Sequence, residues 1–478
     1  MSETPILDEI DKYINQGIDR YHTPGHNGIE KVYKNESFLG STIFQKDLTE
    51  VPGLDDLHSP ESVIKKSQEL AAEYYGSDFC HYLVNGSSAG IIAMVMATVG
   101  PGDRVLIPRN AHKSLYSALI LNGAKPVYSQ MKLGLHNTLP LNLDIEKLEQ
   151  IINQEQDLKA IFITNPSYYG VTVDLTRIRS ITDRPLLIDE AHGAHFNLAT
   201  DFPISASEYG ADIWVQSTHK TLNSLTQSSI LHGKKGRVSK EEIAFMLQLI
   251  QTTSPSYLLM ASIEMARIYN QKNKPTWRNF LDNKLYPMRA TLDSIPGIKL
   301  LSKDYTRNQG FQLDPTKITV LLDELKINGY QLSDILRKEY NIQVELAEEN
   351  QILLLVTPQH TKEQIERLEA SFRKISKDYS IKGKKEIKKY KYELPKRPVQ
   401  KLTPREATFR KGRYLKLSDS IGMVAKEFVI PYPPGIPLLV PGEVITEEVY
   451  EFLDYLTKTK VHCQGFSYKD SGMILVTE

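Results

Sequence analysis

Between residues 60 and 270 the chain switches repeatedly between two hydrophobic periods. Stretches such as ESVIKKSQELAAEYYG (61–76) place apolar residues every three to four positions, the spacing of one buried helix face. Short, nearly continuous apolar runs alternate with them: CHYLVNG, DRVLIP, KPVYSQ, KAIFITNPS, RPLLIDEAH and ADIWVQSTHK. Short apolar runs separated by helices predict βαβ units and a mostly parallel sheet buried on both faces. Each run ends in a polar cluster, and open α/β sheets bind ligands beyond the carboxyl ends of their strands. The chemistry is therefore expected at those ends.

The flanking regions read differently. Residues 1–50 form an amino-terminal segment with a short helix and a loop around YHTPGHNG (21–28), and residues 51–275 form the large domain. A helix near 256–290 leads out of it. Residues 276–385 read as a small α/β domain, with strands KITVLLD and QILLLVT and the helix GYQLSDILRKEY. Residues 386–478 form a carboxy-terminal domain around FVIPYPPGIPLLVPGEVITEEVYEFLDYL. The stretch 382–416 carries 14 Lys/Arg against three Glu and reads as a solvated linker rather than a nucleic-acid arm.

Composition narrows the class. The chain has 478 residues, 41% hydrophobic and 24% charged, with 58 basic and 58 acidic residues. That balance gives no footing for nucleic acid or an anionic membrane surface. No apolar run reaches membrane-spanning length, and the polar amino terminus has no signal-peptide character. The two cysteines, Cys80 and Cys463, have neither metal-ligand spacing nor a disulfide framework, so no metal is expected and a cytoplasmic location fits.

Four motifs carry the candidate chemistry. Asp189 ends the buried run Leu186-Leu187-Ile188. A carboxylate desolvated there needs a cation or donor as partner, and a protonated pyridine nitrogen is one. The letters DEAH also occur in nucleotide-driven helicases, but no GxxxxGK[ST] loop is present. One βα step later, Lys220 follows ADIWVQ within Ser-Thr-His-Lys-Thr (217–221). Desolvation makes such a lysine a usable amine nucleophile, and its hydroxyl and imidazole neighbours can hold phosphate. Asn-Gly-Ser-Ser (85–88) opens a helix after a strand and offers backbone N–H groups and two hydroxyls to an anion. His112, in RNAHKS (109–114), is placed to stack on a flat cofactor, and TNPSYYG (164–170) should line the same cleft. Each motif alone has a bland explanation as an N-cap, a surface lysine or a structural histidine. Their order is what points to pyridoxal 5′-phosphate (PLP).

Together with GLDDLHSP (53–60), TTSPSY (252–257) and PYPPGIPLLVPGE (431–443), these motifs resemble the Orn/Lys/Arg decarboxylases along nearly the whole chain, in their short bacterial form. The resemblance implies a fold-type-I PLP-dependent large domain with a mostly parallel seven-stranded sheet and smaller α/β domains after it. It implies decarboxylation of arginine, lysine or ornithine, as in polyamine biosynthesis. Lys220 would hold PLP as a Schiff base, Asp189 would pair with the pyridine nitrogen, His112 would stack on the ring, and His192 would lie beside the cofactor. Ser87, Ser88, Ser217 and His219 would hold the phosphate. In a homodimer with the site at the interface, Thr252, Thr253 and Ser254 would reach the neighbouring subunit's phosphate. Glu443 and His26 are the candidates facing the substrate, Glu443 for its distal cation. His-Asn-Gly (26–28) and Ser-Ile-Gly-Met (420–423) depart from the family's commonest pattern, which bears on substrate rather than cofactor. An aminotransferase, another lyase or a non-catalytic PLP-binding protein remain the alternatives, since the cofactor frame is shared between reactions.

Overall fold

The computed structural model describes residues 3–17, 19–20, 22–24, 26, 42–135, 139–381, 399–431, 435–458, 463–466 and 472–478. Parts of YHTPGHNG and PYPPGIP, and residues 382–398 of the basic stretch, lie outside them.

The large sheet has seven strands among the described residues. They are β1 (Phe79–Leu83), β2 (Arg104–Pro108), β3 (Lys125–Ser129), β4 (Leu158–Thr164), β5 (Leu186–Asp189), β6 (Ile213–Gln216) and β7 (Ser229–Gly233). Their spatial order is β1-β7-β6-β5-β4-β2-β3. The run from β6 to β3 is parallel, and β7 is antiparallel to both its neighbours. Reversal of β7 leaves β1 running with the parallel set. The carboxyl end of β1, where Asn85 and Gly86 follow, therefore joins the same edge as Asp189 and Ser217. The mostly parallel seven-stranded sheet expected from the sequence is present.

Burial on both faces explains why these strands are so apolar. Alternate residues of each central strand enter two cores: Val105, Ile107, Phe162, Leu187 and Val215 pack on one side, and Leu106, Ile161, Ile163, Leu186 and Trp214 on the other. Helices begin where side chains satisfy orphan N–H groups. Asp144, Asp174, Ser239 and Ser256 each accept from a backbone N–H of the first turn. The amino-terminal helix Pro5–Asn15 is seated on the large sheet's layer by Glu264, whose buried carboxylate accepts the N–H groups of Ile6 and Leu7.

The long helix expected over 256–290 is broken. Tyr257–Lys272 stops at Asn273, Lys274–Phe280 restarts with Pro275 in its first turn, and a π turn at Leu281–Leu285 precedes Tyr286–Asp293. Pro275 and Pro287 each remove an N–H from the ladder, and each stands where a new segment begins. Beyond it lies a second, antiparallel sheet of β8 (Lys299–Leu300), β9 (Lys317–Leu321), β10 (Leu346–Ala347) and β11 (Gln351–Leu355), in the order β8-β9-β11-β10.

The two sheets are tied together beside the carboxyl edge. Val171–Thr172, after β4, pairs antiparallel with Gln312–Leu313, just before β9. The Asp314 N–H donates to Gly170 O at 2.8 Å. Gly170 has φ +80°, and a Cβ there would lie 2.7 Å from Lys317 Cγ and 3.0 Å from Asp314 Cβ. No other residue fits both the backbone and the space.

The basic stretch is not wholly linker. From residue 399 it is built into the carboxy-terminal unit: Thr403 caps the helix Pro404–Phe409 with a capping box, and Gly412–Lys416 pairs with Met473–Thr477. Arg405 donates to the carbonyls of Ile120 and Leu121 at 2.7 and 2.6 Å, so its charge closes the end of a large-domain helix.

Gly170→Ala should cost about 2–4 kcal/mol, from the left-handed backbone and the overpacking against Lys317. Gly310→Ala is the control, with φ +87° but open space around it. Thermal unfolding should rank the midpoints parent, Gly310→Ala, then Gly170→Ala, in descending order.

Candidate active site

Six strands of the large sheet end at its carboxyl edge, and the loops after four of them carry the predicted residues. Lys220 lies in the short helix Thr218–Thr221 after β6, and its Nζ is 3.2 Å from His192 Nε2. His192 comes from the turn after β5, three residues beyond Asp189. Asp189 is buried and accepts the Ala191 N–H at 3.1 Å. Burial raises its pKa, while Lys220 and that N–H oppose the rise. Burial lowers the pKa of Lys220, against the attraction of Asp189 and Glu345. Burial thus pushes both groups toward their neutral forms, which makes Lys220 a readier amine nucleophile, while each one's charge opposes the push on the other.

His112 caps the helix Lys113–Asn122 with its own ring. Its Nδ1 accepts the Ser114 N–H at 3.3 Å and meets Ser114 Oγ at 2.8 Å. The acceptor role at Nδ1 puts the proton of the neutral ring on Nε2. Burial, with Lys220 and Lys113 nearby, pushes its pKa down to about 4, so the ring is neutral at physiological pH.

The anion-holding candidates also gather there. Ser87 and Ser88 stand half-buried in the first turn of the helix Gly86–Thr98. Ser217 is fully buried, and its Oγ has no hydrogen-bond partner among the described residues. A buried hydroxyl in that condition costs about 1–3 kcal/mol unless a ligand supplies the partner. His219 Nδ1 donates to Ser228 O at 2.8 Å. Thr252, Thr253 and Ser254 are exposed beside this turn, the Thr252 N–H facing Asn85 Oδ1 at 3.4 Å. An unpartnered buried hydroxyl, a neutral ring held by its back, a buried carboxylate and a desolvated lysine fit the phosphate, ring face, pyridine nitrogen and aldehyde of PLP. Among the described residues no group of three or more His, Cys, Asp or Glu could hold a metal ion.

His26 and Glu443 have neighbours of their own. His26 lies 3.2 Å from Asp47 and packs on Phe44, with ring centroids 5.1 Å apart. Glu443, 2% exposed, is held by Arg109 at 2.9 Å and by the Val440 N–H at 2.9 Å, both on Oε2. Its Oε1 is buried without a hydrogen-bond partner among the described residues. Burial raises the Glu443 pKa and Arg109 opposes it.

Sequence reasoning missed three contributors. Arg109 also donates to the carbonyls of Pro437 and Leu438 at 2.8 and 2.9 Å, clamping the loop that carries Glu443 to the His112 loop. Lys317, at the start of β9, is fully buried with Nζ 3.0 Å from His192 Nδ1 and 5.3 Å from the Tyr168 ring centroid. Glu345 accepts the Tyr168 hydroxyl at 2.5 Å, and Tyr168 meets the His192 ring edge-on at 4.9 Å. A lysine leading the otherwise apolar run KITVLL was the available signal for Lys317.

This mostly parallel seven-stranded sheet, with helices on both faces, is the large-domain architecture of the fold-type-I class. The chain belongs to the Orn/Lys/Arg decarboxylase family: its major-domain family matches residues 4–364 and its carboxy-terminal-domain family residues 386–477. It is 34% identical over 463 residues to an arginine decarboxylase of Bacillus subtilis, covering 94% of this chain and 93% of that protein. A Bacillus anthracis arginine decarboxylase is 35% identical over 478 residues, covering 97% and 95%. The constitutive lysine decarboxylase of E. coli superposes with a TM-score of 0.82 at 20% identity, covering 99% of this chain and 82% of that one, a likeness of fold. No helix among the described residues is long and apolar enough to cross a membrane.

Arg109→Ala should release the carboxy-terminal unit, because it strands a buried carboxylate at a cost of about 3–5 kcal/mol. Faster proteolysis within residues 435–445 and a lower thermal midpoint are expected. Glu443→Gln, which keeps a hydrogen-bond acceptor for Arg109, should lose less.

Proposed function

We propose that the chain is a PLP-dependent decarboxylase of a basic amino acid, arginine first, with Lys220 as the covalent anchor of the cofactor. One observation carries this reading: Lys220, Asp189, His112 and the unpartnered Ser217 hydroxyl converge on one sheet edge in a member of the Orn/Lys/Arg decarboxylase family. Arginine comes first because relatives at 34 and 35% identity are named arginine decarboxylases.

PLP, when bound, supplies the electron sink into which the bond to a leaving carboxylate can break. The chain's own groups prepare and protect that event. Asp189, at the strand end, is the carboxylate that favours a proton on a nitrogen placed against it. His112, neutral and fixed through Nδ1, offers a flat face without adding charge. Ser87, Ser88, Ser217 and His219 hold the phosphate and so fix the ring's rotation. His192 abuts the Lys220 amine and can pass a proton to it. Glu443 offers Oε1 to the substrate's distal cation while Arg109 keeps Oε2, and His26 flanks the entrance.

The dimer completes the reading. Thr252, Thr253 and Ser254 are exposed in a single chain and would reach the phosphate of a neighbouring copy. Both cysteines are free and buried, which suits a reducing cytoplasm.

Lys220→Ala should abolish the long-wavelength absorbance of lysine-bound cofactor, and a surviving band would sink the assignment. The parent enzyme should release carbon dioxide from labelled arginine, with lysine and ornithine as comparisons; keto-acid formation in its place would identify an aminotransferase. Glu443→Gln should raise KM for the basic substrate by about tenfold or more, as expected when a buried charge partner is neutralised, with a smaller change in kcat.

A further inference from the structure

His192 stands between two lysines. Its Nε2 is 3.2 Å from Lys220 Nζ and its Nδ1 is 3.0 Å from Lys317 Nζ. The donor inventory restricts what this row can be. A neutral imidazole has one N–H and one lone pair, and an ammonium group only donates. If both lysines were charged, the one imidazole N–H would point at an ammonium. One lysine must therefore be a neutral amine that accepts from His192. If His192 itself were charged, both lysines would have to be neutral. The row Lys317–His192–Lys220 thus holds at most one positive charge, and the charge has three possible seats.

The surroundings choose the seat. Lys317 Nζ lies over the face of Tyr168, whose hydroxyl is held by Glu345, and Asp314 stands three residues before it. A cation is favoured over an aromatic face and between carboxylates. Asp314 is itself 3.2 Å from His195 Nε2. On the other side, Lys220 faces Asp189, Glu345 and His112. His192 is the poorest seat, since burial and the two lysines hold its pKa well below the usual histidine value. Burial lowers both lysines, Lys317 to about 8 against the pull of Glu345 and Asp314, and Lys220 against that of Asp189 and Glu345. Lys317 can therefore hold a proton and also release it.

Resting on the assignment of Lys220 as the cofactor lysine, we propose that Lys317 is the positioning residue that stores the proton of this row and returns it to Lys220 through His192. In the resting row, Lys317 ammonium donates to Nδ1 and the Nε2–H donates to the Lys220 amine, which keeps Lys220 nucleophilic. For transfer, one N–H bond of Lys317 breaks and a new N–H forms at His192 Nδ1. The Nε2–H bond breaks and its proton bonds to the Lys220 lone pair. Lys317 ends as an amine, Lys220 as an ammonium, and His192 as the other neutral tautomer. Nothing is oxidised, and no proton crosses to solvent.

The test uses full-length apoenzyme and competitive labelling of amines with acetic anhydride across pH, with the Lys220 peptide read by mass spectrometry. Lys317→Met removes the stored charge at similar volume and should move the Lys220 labelling midpoint up by about one pH unit, the scale of a close charge. Lys317→Arg still donates to Nδ1 and should leave that midpoint in place. In the holoenzyme the same arginine cannot release its proton, so kcat should fall about a hundredfold, the scale of a lost proton-transfer group, with KM nearly unchanged. An unmoved midpoint in Lys317→Met, or parental kcat in Lys317→Arg, overturns the proposal. Should either variant fail to fold, nitrogen-15 spectra of histidine-labelled parent apoenzyme decide: the Nε2–H tautomer of His192 supports the row, and the Nδ1–H tautomer overturns it. Failure of the parent to bind PLP would refute the cofactor reading instead, and it would leave the Lys220 titration intact.

Discussion

Desolvation of closely spaced cationic groups at the end of a parallel sheet is the constraint on which the site depends. Lys220, His192 and Lys317 form a continuous row of nitrogens, and His195 lies a few residues along the same turn. Several full charges there would repel one another in a medium that screens poorly. The structure answers with carboxylates on both flanks: Asp189 at the large-sheet end, Glu345 and Asp314 at the small-sheet end. Burial would raise the Asp314 carboxyl, yet His195 and Thr316 outweigh it and hold its pKa below the ordinary value. A site balanced this closely needs only a small change in proton position to alter which nitrogen is nucleophilic.

That balance requires two sheets at once. The large sheet supplies Asp189, His192 and Lys220 from adjacent strands, and the second sheet supplies Lys317 and Glu345. The Val171–Thr172 pairing with Gln312–Leu313 fixes their separation, and Gly170 permits the lysine stem to pass against the backbone. Small relative movements of the sheets would break the 3.0 Å contact at His192 Nδ1 first, because a hydrogen bond weakens steeply with misalignment. The connection therefore belongs to the chemistry as much as to the fold.

The large sheet was legible because its central strands are buried on both faces and so carry no polar interruption. Asp189 and Lys220 were legible for the converse reason: a charged residue ending such a run needs a partner. β7 was less visible, since SILHG follows the Lys220 loop closely and reverses direction, which apolar periodicity does not encode. The break at Pro275 was open to reading from proline chemistry, but the hydrophobic pattern runs through it. Lys317 escaped because its meaning is tertiary. As a sequence feature it is a lysine opening a strand, ordinarily exposed, and only the pairing with the loop after β4 turns it inward. Arg109 escaped similarly, since its partners lie more than 300 positions away.

Arg109 shows why the third unit of the chain matters to the first. It stands three residues before His112, so the loop that presents the histidine ring is anchored by Pro437 O, Leu438 O and Glu443 of the carboxy-terminal unit. The anchor is a buried ion pair, which brings little net stability but is costly to break. Such a pair suits orientation better than strength. It leaves one carboxylate oxygen of Glu443 buried and, among the described residues, without a hydrogen-bond partner, a condition a folded chain tolerates where a ligand can relieve it. A cation arriving at that oxygen would share the carboxylate with Arg109 and would feel the same loop that fixes His112. On the proposed roles of Glu443 and His112, recognition of a distal charge and placement of the histidine would pass through one side chain, Arg109, and substrate choice would be coupled to cofactor geometry without a moving part.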